Sequence, residues 1–574
     1  MIKLSGIPAS KGISIAHAYV YQPEKITVVP AHITETQADG ELARYRHAME
    51  RARAELLEIQ ASFSEEDAMH AAIFNAHVEI LQDVALEEEV TRLVRTDCCQ
   101  LEYAIDTAFG QFIELLSSLD DPLLLERCAD LKDVKERLLY ACMGKKKQSL
   151  SQIEKPAVLF AYDLFPSDTA TLNREKVVGI VTEIGGTTSH SAILARSYGI
   201  PAVLGVPQVL KSVESGTEVI VNGSAGEVLL APDAQTREEY TAKQAAYKKA
   251  AAELAQYFAV PPITKDGTHI DVCLNIGSAD DDELTDAPVS DGVGLFRSEF
   301  LYMQGSELPS EEAQFEAYKK AAMVFGERQM IVRTLDIGGD KTLACMDLPK
   351  EDNPFLGCRA LRLCFAQQPL FKTQLRAMLR ASAYGNLAIM FPMVSSMEDI
   401  RRAKTCVQEA KDELKREGIP FRNSVALGIM IEIPSIALMA DAAAKEVDFA
   451  SVGTNDLCQY LLAVDRLNPA ISSYYQSYHP ALFRLIGEAA QAFARENKTL
   501  SICGELGGDP YAAAIFIGLG IKKLSMSASS ISSVKKLITG IDLPFTQKIA
   551  AATLQMRTAE EVESYLKETL KELV

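Results

Sequence analysis

The chain has 574 residues, of which 48% are hydrophobic and 24% charged, an ordinary balance for a soluble globular protein with material for about two to four domains. Its formal net charge of −20 argues against general nucleic-acid binding. The 11 cysteines are scattered without a CxxC spacing, which favours free thiols in a reducing compartment, the cytoplasm, over a disulfide framework or a zinc site.

The opening segment, MIKLSGIPASKGISIAHAYV, has no long apolar core and no clear cleavage site, so neither a signal peptide nor a membrane span is expected. Residues 1–30 read as short strands and turns. From about Thr34 to Cys142 the pattern becomes helical, with apolar positions three and four apart in ELARYRHAMERARAELLEIQ, AMHAAIFNAHVEILQD and CADLKDVKERLLYACM. Asp121-Pro122 is the one obvious break, and a bundle of about four helices is expected. Residues 31–140 hold 24 acidic and 10 basic residues, so most of the excess negative charge sits here. That acidity fits either a well-solvated helical surface or a docking face that would speed the approach of a basic partner.

Strand-like runs return in KPAVLFAYDLF and KVVGIVTEIGG, followed by a helical TSHSAILARSYGI and the strand-like PAVLGV, TEVIVNG and GEVLLAP. Residues 145–232 and 1–30 together predict an α/β unit, with the helices of residues 31–144 inserted into it. Residues 234–258 predict a polar, Ala-rich linker helix ended by Pro261-Pro262. Beyond it eight strand-like runs alternate with helical stretches: HIDVCLNI, GVGLFRSEF, MIVRTLDIGG, LAIMFPMV, ALGIMIEIP, FASVGTND, LSICGEL and KLSMS. Eight β/α alternations over residues 261–574 predict a (β/α)8 TIM barrel. The reactive-looking Arg297, Arg333, Asp336, Glu432, Asn455, Asp456, Cys503 and Glu505 fall at the C-terminal strand ends, where such barrels carry their chemistry. The fold class is therefore multidomain α/β.

Of the eight histidines, His190 is alone between residues 78 and 268. It sits in GGTTSHSAILAR, between a strand and a helix. Gly185-Gly186 permit a tight turn, Thr187, Thr188 and Ser189 supply hydroxyls, and the helix start favours an anion. Taken alone, the segment is compatible with a nucleophile, with a hydrogen-bonded structural histidine or, less readily, with a metal ligand. As a whole, GGTTSHSAILARSYGIPAV resembles the phosphohistidine segment of the phosphoenolpyruvate (PEP)-utilising enzymes. The resemblance implies that His190 carries a phosphoryl group and that Thr169, in LFPSDTATLN, hydrogen-bonds it and fixes its tautomer.

PEP carries a phosphate and a carboxylate, so its site needs several cations, and Mg2+ favours carboxylate oxygens. Arg297, Arg333 and Arg466 are candidates for the phosphate and Arg359 for a further contact. Glu432 and Asp456, from adjacent strand ends, are candidates for Mg2+, and Asn455 for orienting PEP. Each has an alternative taken singly: an arginine can be a salt-bridge partner, a carboxylate a helix cap, and Cys503 a buried thiol. The motifs GVGLFRSEFLYM, RTLDIGGDK, NPFLGCRALR, FPMV, GIMIEIPSIALMAD, SVGTNDLCQYLLAVDR and CGELGGDP are similar to those of the family and stand in its order. By that resemblance Cys503 protonates the C3 carbon of enolpyruvate.

The order of parts resembles the enzyme I family of the PEP-dependent sugar phosphotransferase system along essentially the whole chain. This implies a homodimer formed through the barrel, release of pyruvate, and transfer from His190 to the phosphocarrier HPr, docked on the inserted helices. Ile73, Phe74, His77 and Leu81 in AIFNAHVEILQD, and Arg127 in LLLERCADLKDV, resemble docking positions, although Ile73, Phe74 and Leu81 equally suit a bundle core. Cys358 and Cys458 depart from the aromatic and the threonine usual at their places. PEP synthase and pyruvate phosphate dikinase share the histidine and barrel parts but need a large ATP-binding domain, for which no segment is spare. A non-catalytic regulatory scaffold is the alternative of another class.

Overall fold

The computed structural model describes the chain apart from residues 24–25, 62–67, 118–121, 146–149, 171, 187–188, 304–306, 339–345 and 347–350, and apart from the side chains of 61, 68–73, 122–126, 152, 166, 170, 190, 193, 197, 281, 282 and 469. The chain divides into two units, Met1–Ala250 and Ala251–Val574.

In the first unit, β1 (Ile2–Ser5), β2 (Ile7–Ser10) and β3 (Ile13–Tyr21) precede the helices α1 (Ala38–Ala61), α2 (Ala68–Leu81), α3 (Val84–Arg95), α4 (Leu101–Ser117) and α5 (Pro122–Cys142). There follow β4 (Ala157–Ala161), α6 (Pro166–Ala170), β5 (Val177–Thr182), α7 (His190–Ser197), β6 (Ala202–Leu204), α8 (Val209–Ser212), β7 (Glu218–Asn222) and β8 (Glu227–Leu230), and then α9 (Ala234–Ala255), within which the boundary between the two units falls. The eight strands form one sheet in the order β1-β8-β7-β3-β4-β5-β6-β2. Neighbouring β3 and β4 run parallel although five helices lie between them in the chain. Those helices bury their own core, including Leu56, Phe74, Val90, Ile105, Phe109 and Leu138. Five α-helices among the described residues stand where a bundle of about four was expected. Asp83, accepting from the N–H groups of Ala85 and Leu86, caps α3 as a separate element two residues after α2 ends. Helix α9 stops at Ala255, three residues short of the expected end, and closes in a turn in which Phe258 N–H donates to the Ala255 carbonyl.

In the second unit β9 (Asp271–Ile276), β10 (Val293–Arg297), β11 (Met330–Arg333), β12 (Leu387–Phe391), β13 (Leu427–Ile431), β14 (Phe449–Val452), β15 (Thr499–Ile502) and β16 (Lys523–Met526) close into an all-parallel barrel. All eight strand-like runs are strands. Alternation along each strand decides what faces the axis. Leu295, Ile331, Ala388, Met390, Met430, Phe449 and Cys503 pack together inside the barrel. Their neighbours Phe296, Val332, Ile389, Ile431, Val452 and Ile502 join the larger core shared with the surrounding helices. The same alternation turns Arg297, Arg333 and Glu432 inward at the C-terminal rim, and β10 and β11 pair with Arg297 opposite Arg333. Among the described residues no helix is long and apolar enough to cross a membrane, and the ten described cysteines are all free thiols.

Candidate active site

The barrel residues singled out by sequence converge on one cavity of about 460 Å³. Arg297, Arg333, Arg359 and Arg466 line it together with Glu432, Asn455, Asp456 and Cys503. Their supports differ. Arg297, Arg333, Glu432 and Cys503 come from strand ends. Asn455 and Asp456 lie instead on the first turn of the helix Thr454–Leu462, which follows β14 through Gly453.

The arginines are organised by acids. Arg333 Nη2 lies 2.5 Å from Glu299 Oε1, and its Nη1 lies 3.0 Å from Asp336 Oδ2. Arg359 Nη2 is 2.9 Å from Asp336 Oδ1 and 3.7 Å from Asp456 Oδ2, while Arg466 Nη2 is 3.5 Å from Asp456 Oδ1. Burial alone would weaken the charge on Arg333, but Glu299 and Asp336 outweigh it and hold the guanidinium charged. Arg297 lines the cavity and has no carboxylate within ion-pair distance among the described residues. Of this scaffold Glu299 escaped sequence reading. It stands two residues after Arg297 in FRSEF, and nothing in that spacing distinguishes a buried arginine partner from a helix-start carboxylate.

Glu432 is 1% exposed, and its Oε1 accepts the Met393 N–H at 2.5 Å. Burial, then Asp456 and Asp336, push its carboxyl well above the usual carboxylate range. Asp456 Oδ1 is buried and takes no hydrogen bond among the described residues. A side-chain carbon added at Gly453 would stand 3.0 Å from Glu432 Oε2, so glycine leaves that oxygen room. Two crowded carboxylates, one with an unsatisfied oxygen, fit a divalent cation with oxygen preference, which would keep waters or take substrate oxygens to complete its shell. The described residues also bring His269, Asp271 and Asp291 within 4.8 Å of one another, but the imidazole there is flanked by the two aspartates at 3.2 and 3.5 Å.

Asn455 exchanges bonds with Glu505: its Nδ2 donates to Glu505 Oε1 at 3.1 Å and its Oδ1 accepts the Glu505 N–H at 3.2 Å. Tyr475, also unforeseen, donates its hydroxyl to the Asn455 carbonyl at 3.3 Å and lines the cavity. Cys503 Sγ lies 3.5 Å from the Val452 carbonyl. Burial pushes its thiol up to about 11, so it remains protonated at neutral pH. Cys358 is half-buried and its N–H donates to Glu351; Cys458 is buried with its Sγ 3.6 Å from the Gln476 carbonyl.

In the first unit His190 opens α7, although its side chain, like Thr187 and Thr188, lies outside the described residues. The turn before it is built as its sequence suggests. Gly185 has φ +112°, and Ser189 caps the helix by accepting the Ala192 N–H. Thr169 is 1% exposed in α6, its N–H donating to the Phe165 carbonyl at 3.1 Å.

The docking positions on α2 need correction. Phe74 and Leu81 are buried in the core of the helical segment, and His77 is fully buried with Nε2 3.3 Å from Asp130 Oδ1. They cannot present a surface to a partner as they stand. AMHAAIFNAHVEIL is apolar on most sides, so helical spacing alone could not separate an exposed face from a core one. Arg127 is exposed, and the Ile73 side chain lies outside the described residues.

Three family models match the chain: the PEP-binding domain of PEP-utilising enzymes over residues 251–543, their N-terminal domain over 5–127 and their mobile domain over 153–226. The phosphoenolpyruvate-protein phosphotransferase of Bacillus subtilis is 43% identical over 572 residues, covering 100% of both chains. That of Geobacillus stearothermophilus is 43% identical, covering 99% of this chain and 98% of its own. That of Haemophilus influenzae is 42% identical over 573 residues and 99% of both chains. With that identity from end to end, and with the barrel cavity built from the expected side chains, the chain belongs to the phosphoenolpyruvate-protein phosphotransferase family of PEP-utilising enzymes.

Proposed function

We propose that this enzyme takes the phosphoryl group of PEP onto His190, releases pyruvate and passes the phosphoryl group to a histidine of HPr. The observation that carries the reading is the convergence of four arginines, the carboxylates Glu432 and Asp456 and the protonated Cys503 thiol on one cavity at the C-terminal rim of the barrel.

PEP brings a phosphate and a carboxylate to a site where Arg297 has no carboxylate partner among the described residues and Arg333 is fixed by two acids. These guanidinium groups hold the phosphoryl oxygens as charge develops on the phosphoryl group and the leaving enolate. Asn455, itself held by Glu505 and Tyr475, orients PEP through its amide. Glu432 and Asp456 would hold Mg2+, which when bound supplies charge neutralisation at the phosphoryl and enolate oxygens. The imidazole of His190 attacks phosphorus in line, the bond from phosphorus to the enolate oxygen breaks, and the Cys503 thiol delivers its proton to C3, giving pyruvate. A solvent proton restores the thiol. His190 must serve the barrel cavity and then the acceptor in turn, so the histidine-bearing segment changes partners within each cycle. Arg127, on the acidic helical segment, suits contact with the acceptor. A homodimer formed through the barrel belongs to the same reading.

Incubation with PEP, Mg2+ and HPr tests it. Pyruvate and phospho-HPr forming in equal amounts without nucleotide support the proposal; a requirement for ATP, or pyruvate without phospho-HPr, contradicts it.

A further inference from the structure

Helix α6, only five residues long, is held from two sides by buried polar bonds. From α5, Asp133 receives Ser167 twice: its Oδ2 accepts the Ser167 N–H at 3.0 Å and its Oδ1 accepts the Ser167 hydroxyl at 2.8 Å. From β3, Tyr21 donates its hydroxyl to Asp168 Oδ1 at 2.8 Å, and Asp168 Oδ2 accepts the Phe165 N–H at 3.1 Å. Asp133 and Ser167 are 0% and 2% exposed. Thr169 follows Ser167 and Asp168 in the same turn. Helix α6 packs against α2 and α5, and also against α7, which opens at His190.

Burying a carboxylate is costly, and an apolar contact would hold α5 to α6 as firmly. What the two-pronged bond adds is direction. It fixes the rotation and height of the α6 turn relative to α5, where an apolar contact would fix only proximity. We propose that Asp133 is a positioning residue for the phosphohistidine chemistry: through Ser167 it sets the turn that carries Thr169 beside the His190 helix. This rests on the reading of His190 as phosphoryl carrier and Thr169 as its hydrogen-bond partner. It makes the inserted helices part of the histidine site as well as a place for an acceptor to land.

The test uses the full chain, Mg2+ and PEP labelled on phosphorus. Asp133→Asn keeps the volume but offers one acceptor atom to two donors. Its labelling rate at saturating PEP is expected to fall about tenfold, the loss of one charge-assisted bond. The KM for PEP, set on the barrel, should not move. In the unphosphorylated protein, ¹⁵N shifts of the His190 ring should report a changed tautomer balance, which a merely structural role would leave alone. Ser167→Ala removes only the hydroxyl and should shift both readouts in the same direction by less. The double variant should be no slower than Asp133→Asn alone. Wild-type labelling and unchanged ring shifts in folded Ser167→Ala would overturn the proposal, whatever the fate of Asp133→Asn. If the wild type takes no label from PEP, the carrier reading fails, and the ring shifts alone decide the positioning role: a change supports it and no change overturns it.

Discussion

Arg333 and Glu299 form a buried ion pair, Nη2 to Oε1 at 2.5 Å, with side chains 7% and 1% exposed. Removing one member of such a pair leaves the other charged in a poorly solvated place. Glu299→Gln should lower stability by about 1–3 kcal/mol, tempered by the second partner Asp336, and let the guanidinium rotate. Its kcat/KM for PEP should fall about tenfold or more, read by denaturant melts beside PEP titrations. Unchanged values for both would mean that Asp336 alone orients Arg333.

Glu432 and Asp456 predict a pH-dependent stability that metal should erase. Burial and the neighbouring carboxylates raise the folded-state pKa of Glu432, so the folded chain binds that proton more tightly than the unfolded chain. The contribution is intact below the ordinary carboxylate value and declines as pH rises towards the raised one. In chelator, Glu432→Gln should therefore match wild type near about pH 4 and exceed it near about pH 8. Thermal melts across that range check this. Mg2+ should raise the wild-type melting temperature and have little effect on Asp456→Asn.

The Cys503 thiol, pushed up to about 11 by burial, should react slowly with iodoacetamide at neutral pH and faster as pH approaches that value. Cys503→Ala keeps the arginines and carboxylates but has no proton for C3. Its turnover to pyruvate should fall about 10²-fold or more, while PEP still binds. Fast alkylation at neutral pH would contradict the protonated state assigned to it.

On the helical segment, Phe74→Ala should cost about 3–5 kcal/mol, as a buried aromatic does, and lower the melting temperature. Exposed Arg127→Glu should leave melting unchanged and slow transfer to HPr. A calorimetric scan paired with a transfer assay separates the two. Equal melting with slowed transfer for both would return Phe74 to the docking surface.

Where the sequence could be read, local pattern carried the information. Eight strand-like runs alternating with helical stretches predicted the barrel, and the rule that such barrels carry their chemistry at the C-terminal strand ends placed Arg297, Arg333, Glu432 and Cys503 at one rim. The partners of those residues were less legible. Glu299 and Tyr475 meet Arg333 and Asn455 through packing between distant segments, which no local spacing encodes. The misplacement on α2 has the opposite cause. Phe74, His77 and Leu81 lie at helical spacing, but so do core positions, and only the five-helix packing decides between them.

The most direct test is phosphorus-labelled PEP with Mg2+, followed by acid treatment of the denatured protein. Label on the wild-type chain should be lost in acid and kept in base, and folded His190→Ala should carry none. Acid-stable label, label dependent on ATP, or equal label on His190→Ala would contradict His190 as the phosphoryl carrier.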